Sequence, residues 1–243
     1  MSSNISPLSA QTLERLRGCS TATLASQLFK RGFKNVFLAG LRPLCPTLPM
    51  AGVATTLRFV PAREDLATYE RLGDPAYPQR HAIEHIAAGH VLVADCRGVS
   101  DAGAAGEILI ARLQARGAAG LVADGGIRDW ESARTLGFPV YALGPAAPAH
   151  VARHLAVESD VAIGCAGVLV MPGDVLVGDG DGVVAIPRHV ADPVAAEAFE
   201  QDRLEAFVLD RIKGGAPLPG TYQPNEATRA DYEASRHRPA QGR

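Results

Sequence analysis

The 243-residue sequence predicts an α/β domain, and three observations carry that expectation. Helical and strand-like segments alternate through residues 81–144. The strand-like runs HVLVADC and AAGLVAD are apolar throughout, as strands covered on both faces must be. Amphipathic helical runs, GEILIARLQARG the clearest, separate them, and such alternation is the pattern of a parallel sheet with helical crossovers.

Each element has its own signal. SAQTLERLRGCSTATLASQLFKRG reads as two short helices, capped by Ser9 and by Ser20 or Thr21 and stopped at Gly18 and Gly32. Residues 41–50 are a proline-punctuated connection. AGVATTLRFVP at 51–61 is a strand with Val53, Thr55, Leu57 and Phe59 on one side. Residues 61–80 are polar and proline-containing, a loop or short helix. HAIEHIAA is helical, GEILIARLQARG is a helix ending at Gly117, WESARTLG is a short helix and FPVYALG a strand. Residues 160–187 change character, with short β-rich runs broken by PGD and GDGDG, which predicts antiparallel strands. Residues 189–213 form the longest helical pattern, ended by Gly214 and Gly215. Residues 1–215 thus read as a single domain. Residues 216–243, rich in Pro, Gly and charge, are expected to be an extended or disordered arm.

Composition excludes several classes of function. The formal net charge is -2 and only 5% of residues are aromatic, so no basic, aromatic-studded face is expected to bind nucleic acid. The 4 cysteines (Cys19, Cys45, Cys96, Cys165) lack zinc-site spacing, and Cys96 and Cys165 sit beside apolar runs as small buried hydrophobes. MSSNISPLSAQTLERL has no apolar signal-peptide core and no run is long enough to span a membrane, so a cytoplasmic, membrane-free protein is expected. GDGDG at 178–182 resembles a calcium loop only superficially, because the liganding glutamate and flanking helices are missing; it reads as a tight turn. ADGGIRD is neither GxGxxG nor a Walker pattern.

The chemistry concentrates at GEILIARLQARGAAGLVADGGIRDW, residues 106–130. Gly106 opens a helix, so backbone N–H groups around Glu107, Ile108 and Leu109 are free to bind a carboxylate. Arg128 and Asp129 follow the strand LVAD across a glycine turn, at the carboxyl end where open α/β sheets bind ligands. A guanidinium beside a helix start suits a carboxylate substrate. A lone Asp suits hydrated Mg²⁺, which takes few protein ligands. The competing reading of the same spacing is a solvated Glu107–Arg128 ion pair capping the helix.

Gly106–Glu107, then Arg128–Asp129 beyond a gap of about twenty residues, resemble the acid-X20-Arg-Asp signature of the RraA-like family. GDVLVGDGDGVVAIP, STATLASQL and AGVATTLRF extend the resemblance over most of the chain. That family includes 4-hydroxy-4-methyl-2-oxoglutarate / 4-carboxy-4-hydroxy-2-oxoadipate aldolases and regulators of ribonuclease activity. The resemblance implies a swivelling β/β/α sandwich with N-terminal helices and a long C-terminal helix, assembled as a homotrimer or homohexamer with intersubunit sites. It implies a Mg²⁺- or Mn²⁺-dependent class II aldolase or lyase that releases pyruvate from a 4-hydroxy-2-keto acid through an enolate, with oxaloacetate decarboxylation as a side activity.

In that resemblance Asp129 holds the metal, Arg128 contacts the keto-acid oxygens, and backbone N–H groups near Gly106, Ile108 and Leu109 bind the pyruvate carboxylate. Glu107 orients the water that protonates the enolate. A further acid comes from a neighbouring subunit's long helix, Glu205 first and Glu200 second. Ser26 and Glu107 both stand where relatives carry Asp. The segment REDLATYERLGDPAYPQRH adds Arg63, Arg71 and Arg80 as candidates for a second carboxylate, against the plainer reading of surface charge. Two other functions fit the family pattern: a regulator acting by protein–protein binding, and a hydratase or other lyase on a sugar-derived keto acid.

Overall fold

The computed structural model describes residues 8–236. Two capped helices come first, Ala10–Gly18 (α1) and Thr21–Lys30 (α2). Ser9 Oγ accepts from the Thr12 N–H at 3.0 Å and Ser20 Oγ from the Thr23 N–H at 3.1 Å, so Ser20 rather than Thr21 caps the second. Arg42–Pro43 (β1) lies within the proline-rich connection, and Met50–Pro61 (β2) is the long strand. Pro78–His85 (α3), His90–Asp95 (β3), Gly103–Ala105 (β4) and Glu107–Ala115 (α4) follow. Then come Gly120–Ala123 (β5), Gly126–Ile127 (β6), Trp130–Thr135 (α5), Val140–Ala142 (β7) and Gly144–Pro145 (β8).

His154–Ser159 (β9), Ile163–Cys165 (β10), Val168–Val170 (β11), Val175–Gly178 (β12) and Val183–Ile186 (β13) form the β-rich stretch. Ala191–Lys213 (α6) is the long helix, and Glu226–Arg236 (α7) closes the described chain.

The main sheet runs β1-β7-β5-β3-β2-β12-β13, with β9 also pairing β2. β2, β3, β5 and β7 are mutually parallel, while β1, β9, β12 and β13 are antiparallel to their neighbours. β3 has no wet face: Val91 and Val93 enter one core cluster, Leu92 and Ala94 another. The first of these clusters fills the curl of the sheet under the β10–β11 hairpin; the second lies beneath α3, α4 and α5. A third packs α1, α2 and α6 against β12 and β13. A separate small parallel sheet, β4-β6-β8, sits beside the main one. These layers form the swivelling β/β/α sandwich expected from the sequence.

GDGDG is the β12–β13 turn, as expected, and Asp179 within it also accepts from the Thr21 N–H and hydroxyl, both at 2.8 Å, anchoring α2. All 4 cysteines are free, and Cys96 and Cys165 are buried. No helix among the described residues is long and apolar enough to cross a membrane.

One expectation is corrected. Residues 226–236 are a helix, not an extended or disordered arm. Asn225 Oδ1 caps the Thr228 N–H at 2.9 Å, Tyr232 packs on Phe207 with ring centroids 5.6 Å apart, and Asp231 pairs with Arg211 at 2.5 Å. The composition is polar because one narrow face suffices to dock on α6. Residues 237–243 of the expected arm lie outside the described residues.

Candidate active site

Two strands of the small sheet build the site. β4 and β6 are parallel, so their carboxyl ends lie side by side, with α4 leaving one and Arg128–Asp129 the other. The Arg128 N–H donates to the Ala105 carbonyl at 2.9 Å and locks that register. The sequence reading placed Arg128 and Asp129 at the end of the LVAD strand. The chain instead leaves the main sheet after Ala123 and re-pairs as β6, so the site belongs to the edge of the small sheet. Two residues are too short for a periodic signal.

Glycine makes the close approach possible. A Cβ on Gly103 would stand 2.3 Å from Arg128 Cγ, and one on Gly106 would stand 2.7 Å from Asp129 Oδ2. Arg128 therefore lies flat across β4, and the Asp129 carboxylate turns towards the start of α4, 3.4 Å from the Glu107 nitrogen. Asp129 holds the left-handed conformation, φ 56° and ψ 40°, which Asp tolerates better than most side chains. At the head of α5 it makes no capping bond with its side chain, which leaves the carboxylate exposed.

These groups open on a cavity of about 240 Å³, walled by the Gly103–Gly106 backbone, Arg128, Asp129, Leu109, Arg80 and His150. Among the described residues no carboxylate pairs with Arg128, and Glu107 makes no ion pair with it. Arg128 Nε is buried without a partner. The helix-capping salt bridge is therefore not formed. The Ile108 N–H has no acceptor among the described residues, whereas the Leu109 N–H is taken by the Gly106 carbonyl at 3.0 Å. Of the two backbone donors expected beyond Glu107, Ile108 alone is free, and Leu109 contributes its side chain to the wall.

Two wall residues come from outside the motif. Arg80, on α3, donates through Nε to the Leu72 carbonyl at 2.9 Å, and its Nη1 is buried without an acceptor. His150 is buried, stacked on Tyr77 and bonded to the Tyr77 hydroxyl at 3.0 Å. Burial first, then Arg80, His154 and Arg128, pull its pKa down to about 4, so the ring is neutral near pH 7. Sequence reasoning missed His150 because a single His after Pro-Ala carries no periodic or motif signal.

The other candidates lie elsewhere. Glu205 projects from α6 into a different cleft, beside Ser26, Lys30 and Tyr222, where it accepts from Gln201 at 2.7 Å. Glu200 pairs with Arg203 and Arg236. The Ser26 hydroxyl bonds the Ala22 carbonyl of its own helix. Arg63 pairs with Asp65, and Arg71 reaches the Leu66 carbonyl. Of the three arginines Arg63, Arg71 and Arg80, only Arg80 lines the cavity.

No group of three or more His, Cys, Asp or Glu side chains among the described residues forms a metal cage. The donor set instead fits a hard, hydrated cation: one exposed carboxylate, on Asp129, whose oxygens accept among the described residues only the long bond from the Glu107 nitrogen.

An α/β sandwich thus gathers a guanidinium with no carboxylate partner among the described residues, a carboxylate and a helix start around one small cavity. The chain belongs to the RraA-like family: it matches the Aldolase/RraA family model over residues 21–185. It is 34% identical over 117 residues to the Halalkalibacterium halodurans protein named "Putative 4-hydroxy-4-methyl-2-oxoglutarate aldolase", covering 48% of this chain and 55% of that one. The chain spans about half or less of the length of the curated relatives it matches. Among solved structures it is similar to Streptomyces coelicolor RraAS2, described as an unusual member of the RNase ES inhibitor RraA protein family. That match has 31% identity, a TM-score of 0.73 and coverage of 83% of this chain and 97% of that one. A Pseudomonas syringae protein with 23% identity and a TM-score of 0.80, covering 92% of this chain and 98% of that one, shares the fold.

Proposed function

We propose that the protein is a divalent-metal-dependent lyase that cleaves a 4-hydroxy-2-keto acid to pyruvate and a second carbonyl compound. The observation that carries this reading is Arg128, half-buried and unneutralised, beside the exposed Asp129 and the free Ile108 N–H at one cavity.

In the cleavage the C4 hydroxyl gives its proton to the water held by Glu107, and the C3–C4 bond breaks as C4 becomes a carbonyl. The bonding pair stays on the pyruvate fragment as an enolate. Arg128 provides fixed positive charge where that negative charge develops. The Ile108 N–H and the start of α4 bind the substrate carboxylate, with Gly106 leaving the room and Leu109 the apolar wall. Glu107 orients the water that returns a proton to C3. Glu205 does not line its own chain's Arg128 cavity, so it is assigned to a neighbouring copy in a homotrimer or homohexamer. Asp129 would hold Mg²⁺ or Mn²⁺, partly through water, and such a cation supplies Lewis-acid polarisation of the keto oxygen. Oxaloacetate decarboxylation leaves the same enolate and is the expected companion activity.

The test is pyruvate release from a panel of 4-hydroxy-2-keto acids and oxaloacetate. EDTA should abolish it and Mg²⁺ or Mn²⁺ restore it. Undiminished turnover by metal-free protein would overturn the mechanism. Similarity to the Streptomyces coelicolor protein favours a second reading, ribonuclease regulation by protein binding. Under that reading, inhibition of a ribonuclease would survive Asp129→Asn.

A further inference from the structure

Hydrogen bonding fixes where the His150 proton sits. Tyr77 is buried, and its hydroxyl has two neighbours among the described residues, the Ala156 N–H at 2.9 Å and His150 Nε2 at 3.0 Å. The amide can only donate, so it occupies one lone pair of the phenol oxygen. If Nε2 donated as well, the hydroxyl proton would be a buried donor with no acceptor among the described residues. Tyr77 therefore donates to Nε2. Burial, followed by Arg80, holds the ring neutral near pH 7, and a neutral imidazole with a bare Nε2 carries its proton on Nδ1.

Nδ1 has the opposite surroundings. It has no partner among the described residues, yet unlike His154 Nε2 it is not sealed from solvent. The ring walls the Arg128 cavity, so its Nδ1–H is left for a ligand there. Phe59, edge-on with centroids 5.6 Å apart, and Tyr77, parallel at 5.7 Å, hold the ring plane, so the donor is preformed. His150 is no general base: Tyr77 engages one nitrogen and the other already holds its proton.

We propose that His150 is a neutral hydrogen-bond donor to the C4 oxygen of the substrate, a hydroxyl before cleavage and a carbonyl after it. This rests on the keto-acid reading of the site. In that reading the substrate carboxylate goes to the Ile108 N–H and the enolate charge to Arg128, which leaves the C4 oxygen without a donor. As the C4 proton passes to the water held by Glu107, negative charge builds on that oxygen until the C3–C4 bond breaks. The Nδ1–H stabilises the charge and keeps its own proton. A neutral donor suits an oxygen that ends uncharged, because a further cation would hold the alkoxide and oppose its collapse to a carbonyl.

Nitrogen-edited NMR of the histidine-labelled full chain reads the tautomer directly. A proton on Nδ1 is expected, and a proton on Nε2 overturns the proposal. His150→Phe keeps a ring against Tyr77 and removes the donor. With Mg²⁺ present, its kcat/KM for cleavage of a 4-hydroxy-2-keto acid should fall by at least about tenfold, the lower side of losing a preformed donor. The loss should be far smaller for exchange of pyruvate C3 protons with deuterated solvent, since pyruvate has no C4 oxygen. Equal losses in the two reactions would make the ring structural and overturn the proposal. Tyr77→Phe frees Nε2, so it should give mixed tautomers and a partial loss of cleavage; a single unchanged tautomer would show that Tyr77 does not set the proton. Absence of cleavage by the wild type on every 4-hydroxy-2-keto acid sinks the lyase reading and the C4 role with it, while the NMR decides the Nδ1–H by itself.

Discussion

Arg128 and Glu107 share a strand edge but not a bond, so their variants should behave differently. Arg128→Ala should cost on the order of 3 kcal/mol or more in kcat/KM, comparable to losing a preformed electrostatic donor. Lys should rescue it only in part, since an ammonium lacks the planar fork. Glu107→Gln keeps shape and should slow protonation of the enolate more than it weakens pyruvate binding. Exchange of pyruvate C3 protons with deuterated solvent, followed by NMR, measures that step directly. Normal kinetics in both variants would reduce the pair to scaffolding. A helix-capping ion pair would contribute at most about 1 kcal/mol of stability and nothing to turnover.

The elements around the cavity carry a pH dependence. His150, on the short helical turn 150–152, and His154, at the start of β9, are both buried, and both are held at a pKa of about 4. Burial is the leading cause for each, followed by Arg80 at His150 and Arg97 at His154. Arg97 donates to His154 Nδ1 at 3.0 Å, which requires that nitrogen to be unprotonated. The ordinary value is 6.5, so the unfolded chain binds these protons first as pH falls. Their neutral forms are at no disadvantage above pH 6.5, and stability should drop through the window from 6.5 to about 4. Each histidine contributes on the order of 3 kcal/mol to that drop by its lower limit. Denaturant midpoints measured across the window should fall less steeply for His150→Gln than for the wild type. Parallel slopes would mean the ring takes up its proton equally in the folded and unfolded chain.

The whole molecule leaves apolar groups uncovered. Ile108 is 83% exposed beside the cavity, and Leu169, Phe29 and Tyr222 are more than 60% exposed. Together with the absence of Glu205 from the lining of the Arg128 cavity, this leads us to expect a trimer or a multiple of it. Sedimentation at micromolar concentration should show that mass. Mixing Glu205→Gln chains with Arg128→Ala chains should restore some activity, because a shared site can then be assembled intact. A fully active monomer would contradict both.

Local physics made much of this chain legible. Ser9 and Ser20 cap their helices within three residues, the GDGDG turn closes its own hairpin, and β3 and β5 announce two-sided burial by apolar composition alone. The spacing of Glu107 and Arg128–Asp129 predicted that the two segments meet, because a crossover helix returns the chain to the same edge. Tertiary structure decided what local patterns cannot encode. β4, β6 and β8 are two or three residues each, too short to show a period, and exist only by pairing with one another. α7 is held by contacts to α6 rather than by its own composition. Arg80 looked like Arg63 and Arg71 in sequence; only the docking of α3 on Ala104 turned it inward. Burial, which set His150 and left Arg128 without a partner, is a property of the packed whole and is written in no single segment.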